Sequence, residues 1–423
     1  MPLEILGEIF VFLVGIDRRY KTLATISQVC KTWRRAAHLM PRLWCKVSLD
    51  PTSPSLSYEG VSAWLGRARL LPRSVHLDSR KCDTPPRKKG LYVGPHCLGE
   101  GKCVLSKIDV AKILKETPFL QHVSIQPPTY QCLHNLIDAL GTIDERHPWT
   151  QITSFAIEID WEFDWPNHPL SLDTSLIPPS VTSLQLELAD YEDIPTRHPK
   201  FEIHRTNTSS IRSDTCTNLE TLVLDLGYGD LHWSITQDLG SLHSIIQSGI
   251  PLPRLRVLHL NNVRSNVLKQ LRYLKTPALR ESYIQFGPVD WAPGEDAETL
   301  YQALTNADLG TSFATFLRGD PRAPPSLELV QITNGVFDES ALCNSLRAAP
   351  SLKHLGLDNS VFLSDTFTKL SAPEVLPKLQ TLELSRLHFP PRELLGLQVF
   401  VNKLQMKTSR CRSSVCEIEC SEQ

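Results

Sequence analysis

The residues best able to do chemistry lie in one stretch: Cys82, His96, Cys97 and Cys103. Thiolates and imidazole are the ligands that zinc prefers, but structural zinc sites bring them as closely spaced pairs. This spacing forms no paired-ligand motif, and no metal is expected. Gly94 to Lys102 has the look of a loop that wraps backbone N–H groups around phosphate. The register fails, because the first glycine would fall at His96 and Cys103 replaces the hydroxyl that would hold magnesium. No nucleophile elbow and no helical His-Glu-x-x-His occurs. The scattered histidines read as surface or satisfied core groups. Cys420 stands fourth from the end, where a prenyl group would be attached, with Lys403, Lys407, Arg410 and Arg412 upstream. Ser421 and Glu422 replace the aliphatic residues that an apolar enzyme tunnel requires, which argues against a lipid. No catalytic residue and no cofactor is expected, so any chemistry has to come from a partner.

The composition agrees. The chain has 423 residues, 41% hydrophobic and 21% charged, which is the balance of a folded protein with more than one domain. A formal net charge of −2 excludes a general polyanion binder, so no nucleic acid is expected. No apolar run reaches membrane-spanning length and no signal peptide precedes the first helix, so no membrane partner is expected. Eleven cysteines without framework spacing imply reduced thiols and a cytoplasmic or nuclear protein.

The elements that organise the chain begin at Met1. Ile5, Leu6, Ile9, Phe10 and Leu13 recur on one helical face, and Glu4 suits the positive end of that helix. Gly15-Ile16-Asp17 breaks the pattern. Leu23, Ile26, Val29, Cys30 and Trp33 form a second apolar run, a third follows directly, and Pro41 ends helix and begins extended chain. So short a three-helix unit is marginal alone, and its apolar residues are either core or a surface that needs a partner.

Met1-Pro2-Leu3-Glu4-Ile5-Leu6, Ile9-Phe10, Val29-Cys30-Lys31-x-Trp33-Arg34, Ala36-Ala37 and Pro41-x-Leu43-Trp44 together resemble the F-box, most nearly the F-boxes numerous in mushroom-forming fungi. Met1 stands where that motif usually opens on leucine. The resemblance implies a domain at 1–44 that docks a small adaptor protein, and through it a cullin of an SCF-type ubiquitin ligase. Adaptor contact is expected from the exposed parts of Pro2, Ile5, Leu6, Ile9, Phe10, Val29 and Trp33.

From 45 to 405 one apolar pattern returns: apolar, two others, apolar, one other, apolar. The copies are Trp44-Val47-Leu49, Pro72-Val75-Leu77, Leu120-Val123-Ile125, Ile152-Phe155-Ile157, Val181-Leu184-Leu186 and Leu219-Leu222-Leu224, then Leu255-Leu258-Leu260, Leu279-Ser282-Ile284, Leu327-Val330-Ile332, Leu352-Leu355-Leu357 and Leu379-Leu382-Leu384. The closing apolar-x-apolar alternates as a strand does. Helix-like segments lie between copies, at Ile108–Lys115, Leu133–Leu140, Leu239–Ile246, Val267–Leu274, Ala341–Ala348 and Glu393–Val401. A returning helix lets the next strand lie parallel, and each unit buries its apolar face only against its neighbours. The pattern resembles irregular leucine-rich repeats, with a spacing of about 25 to about 50 residues that is wider than the regular kind. No asparagine ladder is evident after the strands, although Asn261 and Asn334 fall near one.

The expected fold class is therefore α/β: an N-terminal three-helix F-box followed by an irregular leucine-rich-repeat-like solenoid with a curved parallel sheet and outer helices. The stretches 79–103, 190–214 and 287–298 read as loops, and 406–423 as a disordered tail.

Two features of the repeats bear on recognition. Ile157, Ile159, Trp161, Phe163 and Trp165 share one parity and Glu158, Asp160, Glu162 and Asp164 the other, which predicts a protruding strand edge with Trp161 and Trp165 as contact residues. The residues between the core-facing positions point to the opposite side of the sheet. On that side Glu158, Glu187, Asp225, Glu281, Asp358 and Glu383 make an acidic set without lysine or arginine, which implies a protein substrate with a basic segment. The resulting expectation is a non-catalytic substrate-recognition subunit whose F-box docks the adaptor and whose repeats bind the target. The alternative is a repeat-type protein-binding scaffold that uses its F-box–adaptor complex outside a ligase.

Overall fold

The computed structural model describes residues 1–17, 20–79, 103–127, 130–140, 151–159, 170–173, 177–188, 200–204, 217–225, 230–232, 250–263, 274–286, 313–314, 316–317, 326–337, 339–362, 366–370, 372, 375–387 and 393–407. The chain forms two compact units, one of residues 1–166 with 175–191, the other of 167–174 with 192–423.

The first unit opens with three helices, α1 (Leu3–Asp17), α2 (Tyr20–Val29) and α3 (Lys31–Leu39). The sequence pattern places the first break at Gly15, but α1 continues to Asp17. The pattern also carries the second run through Trp33, whereas the helix ends at Val29. Cys30 is extended there and its Sγ accepts the Trp33 N–H at 3.4 Å, capping α3. Periodicity misses such a break because Leu23 and Ile26 of α2 and Trp33, Ala36 and Ala37 of α3 all face the same core. Pro41 does not begin extended chain: it starts a short 3₁₀ helix, Pro41–Trp44, where its missing N–H needs no partner.

Every copy of the repeat is a strand. In the first unit these are β1 (Lys46–Leu49), β2 (Arg73–Asp78), β3 (Leu120–Gln126), β4 (Ser154–Ile159) and β5 (Ser183–Leu188), paired in parallel in chain order. The second core position of each copy falls in one row, Val47, Val75, Val123, Phe155 and Leu184. Helices α4 (Tyr58–Gly66), α5 (Ile108–Glu116) and α6 (Tyr130–Leu140) lie between strands, the last two matching the helix-like segments read from sequence. One packing detail was not foreseeable. Arg73 at the start of β2 is buried and donates to two backbone carbonyls, of Pro118 at 2.9 Å and Arg69 at 3.0 Å. It ties the turn after α4 to the turn before β3, where Phe119 takes a positive φ of 57°.

The second unit repeats the scheme with β6 (Thr221–Asp225), β7 (Val257–Val263), β8 (Glu281–Phe286), β9 (Leu329–Thr333), β10 (His354–Asp358) and β11 (Thr381–Ser385). They are parallel and in register, with Leu222, Leu258, Ser282, Val330, Leu355 and Leu382 in one row. Helices α7 (Glu339–Arg347), α8 (Thr366–Leu370) and α9 (Glu393–Lys407) follow β9, β10 and β11. The helix-like segments at 239–246 and 267–273 lie outside the described residues, while Leu274 belongs to a short strand. The stretch 190–214, read as loop, contains a strand, Lys200–His204, paired in parallel with Leu170–Asp173 and Asp230–His232. The stretch 287–298 and most of 79–103 lie outside the described residues, and Met406 and Lys407, read as tail, still belong to α9.

The missing asparagine ladder is a second correction. Asn262, Asn334 and Asn359 each follow a strand's last core residue by two positions with φ between 45° and 60°. Asparagine is the side-chain-bearing residue that tolerates this region best. Asn359 Nδ2 donates to Asn334 Oδ1 at 2.8 Å, Asn334 Nδ2 to the Phe286 carbonyl at 3.0 Å, and Asn262 Nδ2 to Asp225 Oδ1 at 2.8 Å. Arg386, with φ 50°, holds the same position after β11.

Ser282 is the irregular copy. It is fully buried and its Oγ has no hydrogen-bond partner. An orphaned buried hydroxyl costs about 1–3 kcal/mol, so Ser282→Ala is expected to stabilise the protein by about 1 kcal/mol. A rise in urea midpoint against wild type checks this, and an unchanged or lower midpoint contradicts it.

Candidate functional site

The N-terminal helices pack around Leu6, Phe10, Leu23, Ile26, Ala36, Ala37, Leu43, Trp44 and Ala68. Gly7 lets α1 approach the end of α3, since a Cβ there would meet Met40 Cγ at 2.4 Å. Trp44 anchors the whole. It is 1% exposed, its Nε1–H donates to the Ala37 carbonyl at 2.8 Å, and its ring meets Trp64 of α4 edge-on at 4.6 Å. The Arg67 guanidinium lies over the Trp44 ring, 4.4 Å from its centroid. His38 packs against the same ring. Burial, followed by the charges of Arg67 and Arg34, pushes the His38 imidazole below its ordinary pKa. The first repeat therefore supplies Ala68 and Trp64 to the core of the three helices.

That interior leaves an apolar stripe outside. Ile5, Ile9, Phe12 and Leu13 of α1 are 53%, 41%, 69% and 42% exposed, and Val29 at the end of α2 is 57% exposed. Positions 5, 9, 12 and 13 fall on one helical face. Pro2 is exposed as well. Of the residues expected to meet an adaptor, Pro2, Ile5, Ile9 and Val29 thus stand at the surface. Leu6 and Phe10 do not: at 4% and 0% exposure they are core, because they lie on the face of α1 turned to α2 and α3. Trp33 is half-buried, with its ring 5.1 Å from that of Phe10. The sequence reading omitted Phe12 from the contact set. Its signal was the spacing of three from Ile9 and seven from Ile5, the outer stripe rather than the inner one.

A family model described as F-box-like matches residues 1–50. The N-terminus is an F-box-like domain. The match runs past Trp44 and through β1. No match was found among curated proteins. Among solved structures, an internalin from Listeria monocytogenes aligns with 14% identity and a TM-score of 0.22, covering 68% of this chain and 80% of that one.

Beyond the F-box-like domain, the strands present a second surface on the side away from the core, where buried and half-exposed residues alternate. In the first unit its middle row is Ser48, His76, Ser124, Ala156 and Gln185, beside a row of Lys46, Ser74, His122, Ser154 and Ser183. At the strand ends Asp78 pairs with Gln126 and Glu158 with Glu187 across the ladder, and Gln126 Nε2 donates to Glu158 Oε2. Asp78 belongs to the acidic row and was missed because its copy of the repeat is imperfect. Lys46 lies on the same side near His122, whose pKa burial lowers first and Lys46 lowers further. The surface is therefore not free of cations. Trp161 and Trp165 lie outside the described residues, while Ile157 and Ile159 are core.

In the second unit the acidic residues have unequal surroundings. Arg386 makes a two-pronged ion pair with Asp358, Nε on Oδ1 at 3.0 Å and Nη2 on Oδ2. Burial alone would raise the Asp358 carboxyl, but the hydrogen bonds from Arg386 and Ser385, with the Arg386 charge and the Asn359 N–H, outweigh it and hold it below the usual carboxylate range. Asp358 is thus neutralised in place, which corrects the expectation of a face without arginine. Asp225 accepts from Asn262, Glu281 accepts the Tyr283 hydroxyl at 3.0 Å, and Glu383 is exposed. Tyr283 stacks on His259 with centroids 4.3 Å apart and planes 5° from parallel. Burial lowers the His259 pKa against the pull of Glu281. Burial, the hydrogen bond to Glu281 and the Glu281 charge all raise that of Tyr283.

The described residues hold no cluster of His, Cys, Asp or Glu able to bind a metal, and none of the described helices is long and apolar enough to cross a membrane. Of the sequence candidates for zinc, Cys82, His96 and Cys97 lie outside the described residues, as do the phosphate-loop stretch 94–102 and Cys420.

Proposed function

We propose that this chain is the substrate-recognition subunit of an SCF-type cullin–RING ubiquitin ligase, non-catalytic, working in the cytoplasm or nucleus. Its F-box-like domain docks a small adaptor, and its repeats bind the protein to be ubiquitinated. The observation that carries the reading is the stripe of Ile5, Ile9, Phe12 and Leu13 on α1, with Val29 of α2 also exposed, on a domain whose interior is already filled. A contiguous apolar surface in water marks an interaction site. The resemblance of the N-terminus to the F-boxes of mushroom-forming fungi fits the same reading. Among the described residues the repeats supply a polar strand surface, as suits capture of a protein.

The test is a pull-down of the tagged full chain from cells in which cullin–RING activity is blocked. Proteins captured by the repeats should accumulate on the chain under the block and disappear when the activity is restored. A captured set that does not respond to the block would place the complex outside a ligase.

A further inference from the structure

We propose that the strand surface of the second unit holds an arginine side chain of its protein partner in a slot between Tyr283 and Gln331. This rests on the reading of the repeats as the capture surface and adds the chemistry that they select. Among the described residues Tyr283 is held on one side only. Its ring stacks on His259 of β7 and its hydroxyl is fixed by Glu281 of its own strand. On the other side β9 places Leu329 opposite Glu281 and Gln331 opposite Tyr283. Gln331 lies towards β10: a Cβ added at Gly356 would lie 3.2 Å from its Cγ, so the missing side chain at Gly356 leaves it room. Two neighbouring side chains that lean apart leave a slot between them. Among the described residues the guanidinium groups that lie over rings are those of Arg67 and Arg73, both in the first unit, so none covers Tyr283.

The slot suits a planar cation. A guanidinium lying flat on the open face of Tyr283 gains the attraction of the ring quadrupole. Its N–H fork then reaches the Glu281 carboxylate at one end and the Gln331 amide oxygen at the wall. The surroundings agree in sign. Glu383 lies across the ladder from Gly356, Asp225 is on the same face, and Arg386 is committed to Asp358. An ammonium is smaller, more strongly hydrated and not planar, so it fills the slot less well.

The experiment uses the purified full chain and three synthetic nonapeptides of glycine and serine carrying arginine, lysine or citrulline at three matched positions. The arginine peptide should bind most tightly, lysine less, and citrulline, which keeps the shape without the charge, least. Tyr283→Leu and Glu281→Gln should each weaken the arginine peptide about tenfold, while Glu116→Gln, on the exposed end of α5 in the first unit, leaves it unchanged. Tyr283→Phe keeps the ring and should cost less than Tyr283→Leu. If Tyr283→Leu lowers the urea midpoint, the half-exposed Glu281→Gln carries the test. Equal binding of arginine and citrulline peptides overturns the slot, as does wild-type binding by folded Glu281→Gln. Equal losses in Glu116→Gln and Glu281→Gln also overturn it, since they report diffuse charge attraction. Adaptor binding measured on the same preparations separates the two claims: if the adaptor docks and the peptides fail, the slot is wrong and the receptor reading stands.

Discussion

A chain carrying Ile9→Asp with Phe12→Asp will fold normally and lose its adaptor. Both side chains lie on the outer stripe of α1, at 41% and 69% exposure, so their replacement removes little packing. Surface substitutions of this kind change stability by about 0.5 kcal/mol or less. The same two positions sit at the middle of the stripe, where a buried carboxylate would have no partner in an apolar interface. Central apolar anchors contribute about 2 kcal/mol or more each, so the pair should weaken adaptor binding by at least about 100-fold. Leu6→Ala is the opposite control. Leu6 is 4% exposed and packed in the core, so its truncation should cost about 2–5 kcal/mol of stability. Calorimetric titration of the adaptor, with a urea melt of each variant, checks both. Tight binding by the folded double variant would show that the stripe is not the docking surface.

Trp44→Ala should have the largest effect on folding. The ring is 1% exposed, hydrogen-bonded through Nε1 to Ala37, packed on Trp64 and covered by Arg67. Truncating a buried tryptophan costs about 3–5 kcal/mol. Because the ring joins α3 to α4, the loss should fall on the F-box-like domain and the first repeat together. Trp44→Phe keeps most of the packing and gives up the bond to Ala37, a cost of about 1 kcal/mol for that bond. Hydrogen exchange on the amides of α1 to α4 is the measurement. Protection should fall in all four helices in Trp44→Ala. Loss confined to α1, α2 and α3 would mean that the F-box-like domain is energetically separate from the repeats.

The strands were legible because their signal is local and repeated. Leu222, Leu258, Val330 and Leu355 carry the same apolar type at the same offset, and the ladder pairs them row by row. Ser282 fits only because its neighbours in sequence, Leu279 and Ile284, keep the frame. What stayed hidden depends on residues far apart in the chain. Nothing near Asn334 announces that Asn359 will donate to it, so the ladder of left-handed asparagines was invisible in one sequence. Asp358 looked like a free carboxylate because Arg386, its partner, belongs to the next repeat. The division of α1 into an inner face of Leu6 and Phe10 and an outer one of Ile5, Ile9 and Phe12 was hidden for a different reason. Both faces are apolar, and periodicity shows an apolar stripe without saying which side water meets.

In the function proposed above, the chain carries a ligase to its target through the outer stripe of its F-box-like domain. The most direct test is to recover tagged full chain from cells and ask whether the adaptor and a cullin come with it, in wild type and in Ile9→Asp with Phe12→Asp. Both partners should come with the wild type and neither with the double variant. Adaptor without cullin on the wild type, or a cullin retained by the double variant, would contradict it.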